Sequence, residues 1–98
     1  MKNEYIICSA IWFQDGNMGH PHQPKNIETG YVICGRRHHN CFSVYMMIEG
    51  LRTKNQSSIQ GFLTNYDRFV DRKEAAEIAF VAEQIQEQKD VLYSEDIY

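Results

Sequence analysis

Gly61-Phe62-Leu63-Thr64-Asn65-Tyr66-Asp67-Arg68-Phe69-Val70-Asp71-Arg72-Lys73-Glu74-Ala75-Ala76-Glu77-Ile78-Ala79 reads as strand, polar turn, short strand and capped helix in one continuous stretch. Phe62-Leu63-Thr64 and Arg68-Phe69-Val70 are β-prone. Asn65-Tyr66-Asp67 between them carries the residue types that cap their own turns and tolerate left-handed backbone. The hairpin tip is therefore placed at Asn65 to Asp67. Asp71 followed three residues later by Glu74 has capping-box spacing, and Ala75, Ile78, Ala79, Ala82 and Ile85 recur with helical period on one face. A helix starts at Asp71 or Arg72 and turns this face to a core. Arg68 and Arg72 fall at the hairpin exit and the helix N-terminus, where unpaired N–H groups and the positive end of the helix dipole favour anions. Solvated surface arginines are the alternative reading of the same pair.

Working outward, Tyr5 to Phe13 is an apolar run of β-branched and aromatic type, bounded by Gln14-Asp15-Gly16-Asn17, and reads as a central strand. Asp15 to Gly30 holds both prolines and three of the six glycines, which predicts one long loop. Long ordered loops in small domains are often functional. Tyr31-Val32-Ile33-Cys34 resumes as a strand closed by Gly35, and Arg36-Arg37-His38-His39-Asn40 is a polar, basic patch. Asn40 is placed as the cap of a helix from Cys41 to Glu49 with Gly50 as its stop. Phe42, Val44 and Tyr45 are β-prone, so the same stretch also reads as a strand. Arg52 to Ser58 reads as a polar loop, and Val91-Leu92-Tyr93 with Ile97-Tyr98 as a segment docking on the sheet or on a neighbouring subunit. The architecture expected is α+β: a small antiparallel sheet with one or two helices packed on it, the main one C-terminal.

A chain of 98 residues is one domain with a small core, which oligomerisation would supplement. A net charge of −3 with an acidic C-terminal third argues against a broad DNA- or RNA-binding face, so any nucleotide bound is small. Phe42 to Ile48 is far short of the roughly 20 apolar residues that span a bilayer, and no signal-peptide order is seen at the N-terminus. The expectation is a cytoplasmic protein without membrane contact. Cys8, Cys34 and Cys41 are odd in number with no CxxC pair, and the default reading is reduced, mostly buried thiols. A metal site from Cys34, His38, His39 and Cys41, with His20 and His22 from the loop, matches no zinc spacing, and neither metal nor cofactor is expected.

No Walker A loop, GxGxxG, GxSxG or HExxH is present. The Arg37-His38-His39-Asn40 string invites a nucleotide-cleaving reading, since His activates water and Asn orients it. Binding without chemistry fits the inventory better. Trp12, Phe13, Tyr31, Phe62, Tyr66 and Phe69 offer faces for a stacked base, although strand alternation assigns at least half of them to a core. Arg36, Arg37, Arg68 and Arg72 can bridge phosphate oxygens, and Gln23, Asn40 and Asn65 can read a base edge or ribose hydroxyl.

Ser9-Ala10-Ile11-Trp12, Gly30-Tyr31-Val32 with Cys34-Gly35-Arg36-Arg37-His38, the block Gly61 to Asn65 with Arg68 to Ala75, and the ending Tyr93-Ser94-Glu95-Asp96 together resemble a family of small phage proteins, the type 1 Thoeris anti-defence proteins. The resemblance covers nearly the whole chain from Tyr5. It implies a sponge that sequesters, without cleaving, the cyclic ADP-ribose isomers made by bacterial Thoeris TIR proteins in the host cytoplasm. Some members hold cyclic trinucleotides at a separate site. It also implies an antiparallel sheet with C-terminal helices, assembly as dimers and hexamers, and pockets between subunits. Carried onto this chain, the implied ligand residues are Phe62, Asn65, Arg68, Phe69 and Arg72 with Arg36, Arg37 and His38. The loop around Met18 to Gln23 has no counterpart in that family. Two other classes stay open: an enzyme that cleaves a nucleotide through His38-His39-Asn40, and a protein inhibitor of a host enzyme.

Overall fold

The computed structural model describes residues 3–47 and 57–97. Its elements are β1 (Ile6–Met18), β2 (Thr29–Gly35), α1 (His38–Met47), β3 (Ser57–Thr64), β4 (Phe69–Asp71) and α2 (Arg72–Val81), followed by a 3-10 turn at Ser94–Asp96. The strands form one antiparallel sheet in the order β2-β1-β3-β4. The fold is α+β, with both helices on one face.

Strand register explains that placement. Ser9 lies opposite Gly35 and Phe62, Phe62 opposite Val70, and Ile11 opposite Ile33 and Gln60, so these side chains share one face. Under α1 that face holds Ile11, Phe13, Tyr31 and Ile33, covered by Cys41 of the helix, with Tyr45 stacked on Phe13 at 4.2 Å between ring centroids. Under α2 it holds Ile6, Phe62 and Val70, covered by Ala75, Ala76 and Ala79 of the helix and joined by Ile85 and Leu92. The alanines let α2 sit close to the strands, which is where its periodicity pointed. Because β2 ends near Ser9 and β4 ends near Gly61, both helices start over the middle of the sheet. They then run apart, α1 toward Phe13 and α2 toward Ile6.

The hairpin tip falls at Asn65 to Asp67, with Asp67 in left-handed backbone at φ 60°, and Asp71 caps α2 through a 2.8 Å bond from Glu74 N–H. Four sequence expectations need correction. Residues 15–18 belong to β1, since a bulge after Phe13 carries the strand on until Met18 pairs with Thr29, so the loop spans only 19–28. The ambiguous stretch after Asn40 is helix, and it begins at His38. Asn40 sits inside its first turn and reaches back to accept Arg37 N–H at 3.1 Å. Helix α2 ends at Val81 rather than continuing to Ile85, because Glu83 turns to φ 62°. Ser57 and Ser58 belong to β3 rather than to a loop. The expected stop of α1 at Glu49-Gly50, the polar loop over 52–56 and Tyr98 lie outside the described residues.

Loop 19–28 straps the second face, over Trp12 and Phe69. Gln23 accepts the Val32 N–H of β2 at 2.6 Å. At the other edge of the sheet Asn26 takes both backbone groups of Phe69, at 2.8 and 2.7 Å. Side chains of one loop thus satisfy backbone groups on both edge strands.

Gly61 has no room for a side chain. A Cβ there would overlap the Val70 carbonyl oxygen and press on Phe69 Cζ. Gly61→Ala is expected to cost about 1–3 kcal/mol, the range of overpacked cores. Urea denaturation of the two chains checks this; equal midpoints would mean that the hairpin yields freely.

Candidate functional site

Where the two helix N-termini meet, the sheet carries a buried polar cluster. His38 opens α1 and is 8 % exposed, its ring edge on Phe62 at 5.0 Å. Its Nε2 lies 2.8 Å from Gly61 O, and a carbonyl can only accept, so Nε2 carries the ring proton and Nδ1 is the acceptor. Ser94 Oγ lies 2.6 Å from that Nδ1 and donates to it, while accepting His38 N–H at 3.2 Å. Ser9 Oγ stands 2.8 Å from Ser94 Oγ and 3.1 Å from Arg36 O, with one proton to share between them. Burial pushes His38 below the ordinary imidazole value of 6.5, with Arg72 acting in the same direction and Glu95 against it.

Arg72 at the start of α2 completes the junction. Its Nη2 donates to Gln60 Oε1 and approaches His38 Nδ1 at 3.5 Å, and its guanidinium stacks on the Tyr93 ring at 4.8 Å. Its Nε is buried and has no hydrogen-bond partner among the described residues. A buried guanidinium N–H without an acceptor costs about 1–3 kcal/mol. The helix dipoles add to the positive charge of the guanidinium. Two positive ends point at one place, with Arg36 exposed and Arg37 half-buried alongside.

The implied ligand residues divide between places. His38 and Arg72 meet at the junction, and Arg36 and Arg37 directly precede His38 in the chain. Phe62 is fully buried between Ser9 and Val70 and presents no face to a base. Phe69 is buried on the opposite face of the sheet, edge-on to Trp12 at 6.0 Å. Asn65 and Arg68 lie apart from the junction, Asn65 at the hairpin tip and Arg68 beside Glu74 in the first turn of α2. Asn65 binds the backbone of Asn3 and Tyr5, and Arg68 is held by Glu4 and Glu74. That pairing raises the Arg68 pKa further above its ordinary value and lowers Glu4. Ser9, Gln60, Tyr93 and Ser94 enter the junction without having been singled out as site residues. Their partners are remote in sequence, and only the resemblance blocks mark Ser9, Tyr93 and Ser94.

The string His38-His39-Asn40 does not act as a unit, because His38 is buried while His39 and Asn40 are exposed. The Ser94–His38 pair has the hydrogen-bond order of a nucleophile and its base, but Ser94 is 3 % exposed, and within this chain no substrate reaches its Oγ. Nor do the thiols and imidazoles converge. Cys41 is buried under α1 and pushed up to about 12 by that burial. His20 pairs with Asp15, and His22 is exposed on the strap. Cys34 is exposed and Cys8 half-buried, which corrects the expectation of mostly buried thiols. These two share a thiol–thiol hydrogen bond that lowers Cys8 and raises Cys34. Among the described residues no three of His, Cys, Asp or Glu come together at metal-binding distances, and no helix is long and apolar enough to cross a membrane.

The phage T4 y16D protein family matches residues 5–98, and the chain belongs to that family. No curated protein and no solved structure matches it. The match shows a phage protein family and is coarser than the Thoeris anti-defence resemblance.

His38 is held neutral, so protonation favours the unfolded chain. Stability is full above the unfolded value near 6.5 and falls as pH drops through it toward the lower folded value. The urea midpoint is expected to fall between about pH 7.5 and pH 5, and His38→Gln should remove the part of that slope centred near the ordinary imidazole value. An unchanged slope in His38→Gln would show that other groups carry it. Ser94→Ala leaves His38 Nδ1 and N–H without their partner, with an expected cost of about 1–3 kcal/mol in the same measurement.

Proposed function

We propose that this phage T4 y16D family protein binds a small phosphate-bearing nucleotide at the junction of α1 and α2 and holds it without cleavage. The observation that carries the reading is Arg72. Its half-buried guanidinium sits at two converging helix N-termini, stacked on an aromatic ring, with no carboxylate partner among the described residues. A phosphate oxygen would pair with the solvent-facing part of that guanidinium, and the two dipole ends add to its attraction. Gln60 and the exposed edge of Tyr93 are placed to meet the sugar or base.

The finer reading follows the resemblance. The ligand is a cyclic ADP-ribose isomer of the kind made by Thoeris TIR proteins, and the protein acts in the host bacterial cytoplasm as a sponge, with cyclic trinucleotides taken at a second site. Neutralising a signal by mass action requires tight binding and no catalytic group. The resemblance adds assembly into dimers and hexamers with pockets between subunits. Support for self-association comes from α1, which is apolar nearly all round and leaves Phe42, Val44, Met46 and Met47 exposed.

The test is capture. Purified protein is incubated with lysate from cells whose Thoeris sensor has been triggered, washed, heat-denatured, and the released small molecules are analysed by mass spectrometry. An intact cyclic ADP-ribose isomer is expected. A cleaved product would point to an enzyme, and an empty protein with the signal left in solution would favour a protein target. In calorimetry with the captured nucleotide, Arg72→Ala is expected to weaken binding about ten- to a hundredfold, the effect of losing a charge-assisted hydrogen bond. Arg68→Ala, whose charge is already held by Glu4 and Glu74, should leave it within about twofold; the reverse pattern would move the site to the hairpin.

A further inference from the structure

A separate groove of about 840 Å³ lies at the C-terminal end of α2, between that helix and the segment Asn3 to Tyr5. Both walls are fixed. Asn65 accepts Tyr5 N–H at 2.7 Å, donates its own N–H to Tyr5 O at 3.1 Å and binds Asn3 O through Nδ2 at 3.1 Å. Gln84 closes the end of the groove and grips both backbone groups of Ile6, at 2.8 and 2.9 Å. Such a surface is preformed, which reduces the ordering a partner has to impose on binding.

The floor is apolar and open. Ile78, Ala82 and Tyr5 line it, and Val81 beside them is 75 % exposed on the outer face of α2. The rim is acidic, with Glu4, Glu74, Glu77 and Glu83 against one cation among the described residues, Arg68. Arg68 is already committed through two bonds to Glu4, at 2.8 and 3.0 Å, and one to Glu74 at 3.0 Å. Glu77 and Glu83 have no ion-pair partner among the described residues. An exposed apolar strip between unpaired carboxylates is complementary to a side chain with an apolar stem and a cationic head.

We infer that this groove docks a lysine- or arginine-rich amphipathic segment of a partner protein, its apolar side chains on Ile78, Val81 and Tyr5 and its cations at Glu77 and Glu83. The junction around Arg72 has the opposite electrostatic character, so the two surfaces serve different ligands on one small chain. This docking stands apart from the nucleotide reading, and either can fail alone.

The probe is a fluorescently labelled amphipathic lysine–leucine peptide, followed by anisotropy and by amide shifts of the isotopically labelled protein. Saturable shifts at Tyr5, Ile78 and Val81 are expected. Glu77→Lys with Glu83→Lys should weaken binding by at least about tenfold, and Val81→Ser by a smaller factor. Glu87→Lys with Asp90→Lys makes the same change in formal charge on the C-terminal segment and should alter affinity by less than about twofold. Equal weakening by the two double variants would reduce the effect to general charge attraction and overturn the proposal. Shifts elsewhere on the surface would overturn it too, as would a concentration-dependent dimer lost only in the groove variant, which would assign the groove to a second copy. Circular dichroism of each variant separates lost binding from lost fold.

Discussion

The fold depends on the contact that His38 makes across the middle of the sheet. Its ring donates to Gly61 in β3, its Nδ1 and backbone N–H both engage Ser94 in the C-terminal segment, and its ring edge rests on Phe62. One side chain therefore ties the start of α1 to β3 and to the last described turn of the chain. Ser94 in turn reaches Ser9 in β1. In a chain this small the two apolar clusters under the helices are separate, and this polar bridge lies between them. Satisfied networks of this kind fix geometry, because each member loses its partners if a neighbour moves.

The same bridge decides which arginine can serve a ligand. Arg68 and Arg72 look alike in sequence, each next to the short strand β4 and each near an acidic residue. Arg68 points to the N-terminal segment and meets Glu4, 64 residues away, so its charge is used within the chain. Arg72 points to the helix junction, where the partners offered are a neutral imidazole, a glutamine and an aromatic ring. None of these cancels its charge.

What was legible in the sequence was local. The hairpin tip, the Asp71 cap and the apolar face of α2 depend on neighbours within four residues, and each was read correctly from spacing. Residues 15–18 do not follow the loop reading because Gly16 and Asn17 only have the composition of a loop, whereas the pairing of Gln14 with Ser57 before them and of Met18 with Thr29 at their end keeps them in the strand. Helix α1 gave no amphipathic signal. It is apolar nearly all round, and its state is settled by Phe13, Tyr31 and Ile33 beneath it. The site was half legible for the same reason. Arg36, Arg37, His38 and Arg72 stood out by type, while Ser9, Gln60 and Ser94 are ordinary residues whose roles exist only through partners brought together by the sheet.

That division bears on how one small chain can carry two surfaces of opposite sign. Helix α2 starts at Asp71–Arg72 against the junction and ends at Val81–Glu83 beside the groove, so its dipole places positive potential at the first and negative potential at the second. Arg72 stands at the N-terminal end, where Asp71 is engaged by the Glu74 N–H and Glu74 by Arg68, and Glu77 and Glu83 lie toward the C-terminal end with no ion-pair partner among the described residues. A ten-residue helix separates its two ends by about 15 Å, beyond the screening length at physiological salt, so the dipole potentials at the two ends act separately. The orientation of α2 is itself fixed by the three-residue length of β4, which returns the chain to the middle of the sheet before Asp71 starts the helix. A β4 longer by two residues would carry the start of α2 away from His38 and bring Arg72 out of reach of Gln60. The electrostatic layout of the molecule thus follows from where one short strand stops.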